Sequence, residues 1–421
     1  MKKKLFSMFY LVLFVFIVFR PMDLEAATKG KTWSYGKKIV ETKGAFTYYA
    51  YTSTDKKEAW IYQIKIKDGK KCSTLSIPKK IGKQKVTRLG NRNKHKPTMD
   101  GYINIFGGWV EPWHDTDGAT RTTQKIKSLT IPDTVEMIQA SAFTGMHSLQ
   151  GVKMSKKVTS IQEYTFYGCS NLKKVILPDK LKSLHNLAFD SCLKLDTLKL
   201  SASNSTYMIK NKCVITKKSK SLVYAIPKVK TLDIPAGTRI IKKNALYDTL
   251  ASTVNIPASV KKMEVHALGR NIKNVKVSAN NKVYAKDGQC IYNKNDKSLA
   301  VAIVDKNGEL YISNMVEKLT TEYSVINLGK NYLKKVTYPE TLNKVVVPGF
   351  SMLTVTGGKV YFTGENPPEI EKPETAIHYA SLPVFVDVYV PKASLSKYKA
   401  WYKENECYSY VNSWNTYVPT E

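Results

Sequence analysis

Apolar residues recur along the chain with a fixed period of 23 residues. Four independent columns keep this step: an aliphatic position, a phenylalanine, a leucine, and a glycine followed by a cysteine. Their members are Ile131, Met154, Leu177 and Leu200; Phe143, Phe166 and Phe189; Leu149, Leu172 and Leu195; and Gly145, Gly168, Cys169 and Cys192. Such a period is typical of a solenoid, in which each unit buries its apolar face only against its neighbours.

Each repeat predicts two short extended elements. In residues 172–177 the L-x-x-L-x-L spacing indicates a strand with alternate side chains directed inward. Pro178 ends this strand, because proline has no N–H to donate to the ladder. Val158 and Ile161 have the spacing of a second short extended or turn element. The Ala-Phe pair that follows is expected to pack inward on a helical or irregular turn.

The pattern continues on both sides of the regular block, and a longer module is duplicated. Strand-and-proline units or their equivalents return at 75–78, 232–235, 254–257, 275–277 and 336–339. Five positions recur 77 residues later: Asn204, Tyr207, Cys213, Leu222 and Ile226 return as Asn281, Tyr284, Cys290, Leu299 and Ile303. In both copies alternating apolar residues surround a polar centre, which predicts a β-hairpin inserted between repeats.

The order Ile-Pro, Val-x-x-Ile, Ala-Phe-x-Gly-Cys and Leu resembles the BspA-type leucine-rich repeats. The C-terminal region is similar to the usual cap of that family, at Pro367–Pro368, Val388–Pro391, Ser394–Leu395, Tyr398 and Trp401. The resemblance covers roughly residues 40–405. It implies a β-rich α/β repeat solenoid, a right-handed leucine-rich-repeat superhelix with short strands on its concave face and inserted β-hairpins. It also implies adhesion to, or interaction with, host or neighbouring-cell macromolecules.

Five segments follow from this interpretation. They are a signal peptide (1–26), an N-terminal β cap (27–72), a first repeat with an insertion at 91–124 (73–124), the BspA-type repeats (125–345) and a C-terminal cap (346–421). In the first segment a basic start, Lys2–Lys4, precedes the apolar run Leu5–Phe19. This run is shorter than the roughly 20 residues of a membrane span, which favours a cleaved signal over an uncleaved anchor. No later segment predicts a membrane span.

Charge adds a candidate binding surface. The 421 residues include 66 basic and 34 acidic ones, a formal charge of +32, and 43% are hydrophobic, which excludes a disordered basic protein. Lysines occupy many outward positions on the predicted concave face: Lys127, Lys153, Lys173, Lys174, Lys199, Lys230, Lys273, Lys276, Lys334 and Lys335. Because neighbouring strands lie about 4.8 Å apart, they predict a near-continuous positive stripe. A general solvated face of a lysine-rich protein explains them equally well.

The small share of arginine among the basic residues indicates which class of polyanion is the better candidate ligand. The six arginines are Arg20, Arg88, Arg92, Arg121, Arg239 and Arg270. Sequence-specific nucleic-acid recognition depends on arginine forks, so nucleic acid is not expected as the partner. An anionic cell-wall polymer, an acidic glycan or an acidic glycoprotein fits better. We expect a monomer that is secreted or held non-covalently at the cell surface.

The sequence does not predict catalytic, cofactor-binding or metal-binding residues. The histidines are His95, His114, His147, His185, His266 and His378, and they share neither a repeat phase nor the spacing of metal ligands. The paired cysteine columns are expected to be small buried hydrophobic residues, with a disulfide as the alternative in an exported protein. An enzyme is therefore not expected.

The 91–124 insertion interrupts the family pattern. Its aromatic residues Trp109 and Trp113 are candidate ligand contacts, because loops on rigid scaffolds often carry function. Asp-Thr-Asp-Gly at 115–118 is a weak calcium-loop signal that lacks the remaining ligands. The alternative is a cap that covers the exposed edge of the first repeat.

Three functions remain open at this point. The leading one is an exported leucine-rich-repeat binding protein, an adhesin or cell-surface interaction protein that recognises an anionic or glycoprotein ligand on its concave face. The second is a passive wall-associated structural protein held by charge. The third is a secreted enzyme with its site in the insertion.

Overall fold

The computed structural model describes residues 34–67, 70, 72–90, 102–106, 109–110, 125–269, 271–320, 324–327, 333–346, 358–371, 386–405 and 411–418. The predicted signal peptide, Trp113, Cys407 and most of the 91–124 insertion lie outside these residues. Within them, no helix is both long and apolar enough to cross a membrane.

Three antiparallel strands, the start of a six-stranded sheet, begin the described chain. Phe46, Tyr48 and Ala50 are buried and alternate with partly exposed residues, so this sheet has one buried face. The first strand is the outer edge, and Lys37 and Lys38 keep that edge polar. The strands are β1 (Tyr35–Lys43), β2 (Phe46–Ser53) and β3 (Glu58–Ile66).

The first repeats consist of short strands, most of which stack in parallel. These strands are β4 (Thr74–Ser76), β5 (Lys80–Ile81), β6 (Gln84–Leu89), β7 (Tyr102–Ile103), β8 (Trp109–Val110), β9 (Ser128–Thr130), β10 (Met137–Ile138), β11 (Gly151–Lys153), β12 (Ser160–Ile161), β13 (Lys174–Ile176), β14 (Ser183–Leu184) and β15 (Thr197–Lys199). One sheet has the order β4-β9-β11-β13-β15, and its central, buried residues are in register. On the other side, β3, β6 and β10 pair in parallel, as do β12 and β14.

Phenylalanines and thiols from successive repeats stack inside the solenoid. The rings of Phe143, Phe166 and Phe189 are buried and stack pairwise, with 5.5 Å between neighbouring centroids. The Sγ atoms of Cys169 and Cys192 lie 3.3 and 3.1 Å from the carbonyl oxygens of Phe143 and Phe166, one repeat back. The prediction that these cysteines are buried residues is confirmed. The five cysteines in the described part of the chain are free thiols.

Two copies of a three-stranded module follow. The strands of this part, including those of the repeats between the two copies, are β16 (Tyr207–Lys210), β17 (Cys213–Thr216), β18 (Ser221–Ala225), β19 (Thr231–Asp233), β20 (Ile240–Ile241), β21 (Thr253–Ile256), β22 (Lys262–Met263), β23 (Asn274–Val277), β24 (Tyr284–Asp287), β25 (Cys290–Asn293) and β26 (Leu299–Val304). In each copy three strands form two antiparallel hairpins, β16-β17-β18 and β24-β25-β26. The third strand of each module also pairs in parallel with the strand of a neighbouring repeat, so the sheet continues from the module into the repeats.

The residues that recur after 77 positions anchor these modules. Buried Asn204 bonds to backbone groups on both sides of the junction, and the Tyr207 hydroxyl accepts the Leu184 N–H at 3.0 Å. Asn281 and Tyr284 form the same bonds in the second copy. The duplicated columns are therefore structural anchors that join each module to the preceding repeat.

The last described part contains a third parallel sheet and a helix. Its elements are β27 (Glu309–Tyr311), β28 (Lys318–Leu319), β29 (Ser324–Asn327), β30 (Lys335–Tyr338), β31 (Lys344–Val346), β32 (Lys359–Phe362), β33 (Glu369–Glu371), β34 (Asp387–Pro391), α1 (Leu395–Glu404) and β35 (Ser413–Tyr417). Tyr398, Trp401 and Tyr402 lie on one side of the helix and are buried against Phe362 and its neighbours. The predicted solenoid with inserted hairpins is confirmed, and α1 is the one α-helix among the described elements.

Candidate ligand-binding face

Each short strand of the repeats buries its central residue and exposes the residues on either side. In the sheet β4-β9-β11-β13-β15, which we call the first sheet, this leaves two rows of side chains on one surface, the open face. One row contains Thr74, Ser128, Gly151, Lys174 and Thr197; the other contains Ser76, Thr130, Lys153, Ile176 and Lys199. Neither row contains a carboxylate.

The structure separates the ten predicted lysines into two groups. Lys153, Lys174, Lys199, Lys276 and Lys335 lie within strands on the open face. The other five lysines each lie directly before the first residue of a strand: Lys127, Lys173, Lys230, Lys273 and Lys334. There they form a ledge, in which backbone N–H groups of one repeat donate to carbonyl oxygens of the previous one. Nine of the ten are exposed and Lys335 is partly exposed.

The second repeat sheet, which has the order β19-β21-β23, places a lysine beside two polar residues. Asp233, Asn255 and Lys276 are neighbours in one row of β19, β21 and β23. The Asn255 amide donates to the Asp233 carboxylate. A shallow cleft of about 300 Å³ runs along this row, with Pro257 and Ser278 among its lining residues.

The third sheet, β27-β30-β32-β34-β35, differs from the first two because tyrosines occupy its open face. Tyr311, Tyr361 and Tyr389 share one row with Thr337 and Asn415. The rings of Tyr361 and Tyr389 stack, with centroids 4.3 Å apart and planes 11° apart. These tyrosines were not predicted as site residues. The available signal was a tyrosine directly after the buried aliphatic residue in 310–311, 360–361 and 388–389.

Lys335 lies between two of these rings. Its Nζ is 5.0 Å from the Tyr311 centroid, 5.1 Å from the Tyr361 centroid and 2.9 Å from the Tyr311 hydroxyl oxygen. The hydrogen bond to Tyr311 raises the pKa of Lys335. Its ammonium group is thus already held by aromatic rings, and neighbouring Glu309 and Asp387 balance the charge of this sheet. Lys335 is less suited to an external anion than the lysines of the first sheet.

Buried titratable groups in the repeats are held in neutral forms. Desolvation lowers the pKa of His185 to about 4 and also lowers that of His266. It raises the pKa of Cys213 to about 12 and that of Cys290 to about 11. In the described parts of the chain, His, Cys, Asp and Glu form no group of three or more that is arranged to hold a metal ion.

The described part of the insertion is attached to the fold. Ile105 and Phe106 are buried, and the Asn104 side chain donates to the carbonyl oxygen of Thr144 at 2.8 Å. Backbone bonds join Ile105 to Ile64 on one side and to Ala142 on the other. This segment therefore packs between the N-terminal sheet and the first repeat turn. The backbone of Trp109 lies in β8, and Trp113 is outside the described residues.

Comparison with protein families identifies the repeats. The BspA type leucine rich repeat region matches residues 118–226 and 219–307, with six copies. A search of curated proteins found no match.

Several solved structures are similar to this chain. A leucine rich cell surface protein of Faecalibacterium prausnitzii is 14% identical over 78% of this chain and 95% of its own, with a TM-score of 0.31. The pneumococcal vaccine antigen PcpA is 15% identical over 91% and 99%, with a TM-score of 0.36. A leucine-rich repeat protein of Bacteroides ovatus is 14% identical over 90% and 100%, with a TM-score of 0.34.

Proposed function

We propose, on the premise that the repeats of this chain belong to the BspA-type leucine-rich repeat family, that the protein is an exported binding protein. Its ligand is an anionic polymer or glycoprotein, bound on the open face. One observation carries the proposal: the two open-face rows of the first sheet contain Lys153, Lys174 and Lys199 without a carboxylate. All three side chains are exposed.

Electrostatics supports an anionic ligand in particular. Without the predicted signal peptide, which carries four basic and two acidic residues, the formal charge is +30. This charge attracts polyanions to the whole molecule, and the acid-free rows concentrate the potential on one face. Lysine acts as a point charge on a flexible stem, so binding is expected to be salt-sensitive and tolerant of ligand geometry.

Export and surface retention are part of the same proposal. The basic and apolar start of the chain supports export through a cleaved signal peptide. The positive charge then holds the protein against an anionic wall without a covalent link. Washing intact cells in high salt is expected to release the protein, and retention through such a wash would contradict this mode of attachment.

Two other functions remain as alternatives. A passive wall protein has no dedicated ligand, and its binding to anions would not saturate or depend on particular lysines. A secreted enzyme with its site in the insertion would lose its activity when residues 91–124 are removed. The attachment of Asn104, Ile105 and Phe106 to the fold favours a capping role for the insertion over a catalytic one.

The test is a salt-titrated binding assay with residues 27–421. Immobilised hyaluronan, heparin and intact and acid-stripped bacterial walls serve as ligands. The strand variant Lys153→Gln/Lys174→Gln/Lys276→Gln is compared with a control, Lys57→Gln/Lys65→Gln/Lys67→Gln, which removes the same charge from exposed positions near the N-terminus. We expect saturable binding that the strand variant weakens at least tenfold and the control less than twofold. Equal losses in both variants would support the passive wall protein instead.

A further inference from the structure

The two copies of the hairpin module share a fold but differ in charge. Positions 77 residues apart are structurally equivalent, since Lys210 pairs with Cys213 as Asp287 pairs with Cys290. The first copy has Lys210, Lys212 and Lys218 where the second has Asp287, Gln289 and Asn295. Because the same strand pairing forms with either set, folding of the hairpin does not require the lysines of the first copy.

The turn of the first hairpin lies between the first and second repeat sheets. The Nζ of Lys212 donates to the carbonyl oxygen of Asp196 at 2.6 Å, just before β15, the last strand of the first sheet. The Asn211 amide lies 3.4 Å from the carbonyl oxygen of Asp233, in β19, the first strand of the second sheet. The turn therefore connects the open faces of the two sheets.

The basic charge is densest around this turn. No acidic residue occurs between Asp196 and Asp233, a stretch that contains eight lysines. Five of them surround the turn and are exposed; we call them the basic junction: Lys199, Lys210, Lys212, Lys228 and Lys230. Asp196 offsets one of these charges, with an oxygen 3.8 Å from the Lys228 Nζ. Lys212 bonds to a neutral carbonyl and keeps its full charge.

The equivalent turn of the second copy is used for internal contacts. Gln289 donates to the carbonyl oxygens of Ile303 and Glu309 and accepts the N–H of Tyr311 at 2.8 Å. Asp287 accepts the hydroxyl of Ser313. These bonds fix the first strand of the third sheet, which the tyrosines occupy. Both turns contact a neighbouring sheet, but the second turn uses neutral and acidic side chains, whereas the first adds exposed ammonium groups.

We infer that the basic junction is the main docking site for a linear acidic polysaccharide, an inference that rests on the proposed function. The five exposed lysines come from two sheets and the turn between them, and a linear polymer is long enough to contact all of them at once. Nucleic acid fits less well, because the open-face rows of these two sheets contain no aromatic ring for base stacking and the junction has no arginine. Those rows instead offer the hydroxyls of Ser128, Thr231 and Thr253, which suit sugar hydroxyls.

The second module supplies the test substitutions. The junction variant Lys210→Asp/Lys212→Gln takes the residues that the protein itself uses at the equivalent positions, so folding is expected to be preserved. It removes the same charge as the N-terminal control variant and the strand variant. Binding to immobilised hyaluronan, heparin and single-stranded DNA is measured by biosensor, and thermal unfolding checks each variant.

We expect the junction variant to weaken binding to both polysaccharides at least tenfold and more than the strand variant, with less than a twofold change for the control. If the strand variant loses binding and the junction variant does not, the inference fails while the proposed function stands. If the wild-type protein binds neither polysaccharide but binds intact bacterial walls, the inference fails while the proposed function stands; if it binds none of these ligands, both fail. Binding to DNA as tight as to the polysaccharides would overturn the ligand class.

Discussion

Replacing Asn204 with alanine tests how a hairpin module is attached to the repeats. The Asn204 amide donates to the carbonyl oxygens of Asp179 at 2.8 Å and Leu181 at 3.0 Å. Its carbonyl oxygen accepts the N–H groups of Thr206 at 2.9 Å and Tyr207 at 2.7 Å. The side chain is 1% exposed, so water does not replace these bonds without rearrangement.

The magnitude follows from these four bonds. Each contributes about 1 kcal/mol net, and leaving a buried backbone group unpaired costs about 1–3 kcal/mol. Some of the partners are only partly buried, so we expect Asn204→Ala to lower the free energy of unfolding by about 3–5 kcal/mol. Asn281→Ala is expected to have a similar effect, because the second copy forms the same bonds.

Urea unfolding followed by circular dichroism measures this loss. Asn307→Ala is the control, since Asn307 is exposed, and it should change the free energy of unfolding by less than about 0.5 kcal/mol. A loss below about 1 kcal/mol for both Asn204→Ala and Asn281→Ala would refute the reasoning, because it would mean that water satisfies the freed backbone groups.

Three further predictions concern the repeats. Phe166→Ala removes a ring stacked on both sides and should cost about 3–5 kcal/mol in urea unfolding, whereas a loss under about 1 kcal/mol would contradict the stack. Gly168 has φ 67° and Ser191 has φ 62° at equivalent positions. Gly168→Ala should therefore lower the free energy of unfolding by about 1 kcal/mol, whereas Ser191→Gly should leave it unchanged or raise it. Thermal unfolding in which Gly168→Ala is more stable than Ser191→Gly would refute this. Burial lowers the pKa of His185 to about 4, below its unfolded value of about 6.5, so His185 contributes a loss of stability as the pH falls through that window. His185→Gln should therefore flatten the pH dependence, and an NMR titration with a pKa near 6.5 would contradict the burial.

Local periodicity was sufficient to predict much of the fold. The 23-residue step identified the central strand residues and the phenylalanine stack, because each repeat contacts mainly its neighbours. The 77-residue step identified the inserted hairpins. It did not reveal the extra strand of each module, β16 and β24, since the hairpin pattern was recognised only around the polar turns at 217–220 and 293–296.

The candidate site was harder to predict, because it depends on strand length and on contacts distant in sequence. Lys127 and Lys173 precede strands of only three residues, so they lie on the ledge beside the open face. Lys335 has the same sequence context as the other lysines, yet two tyrosine rings surround it. Lys210 and Lys212 belong to an inserted hairpin, and only the contact with Asp196 places their turn between two sheets.

The free thiols are natural probes of local unfolding in the repeat array. Cys169, Cys192, Cys213 and Cys290 are buried at different heights of the array, whereas Cys72 is partly exposed. A thiol-reactive reagent therefore labels Cys72 in the folded protein and labels the others only when the adjacent repeats separate. Comparing the labelling rates by mass spectrometry distinguishes fraying from one end, which exposes the thiols in sequence, from the simultaneous melting of the whole array.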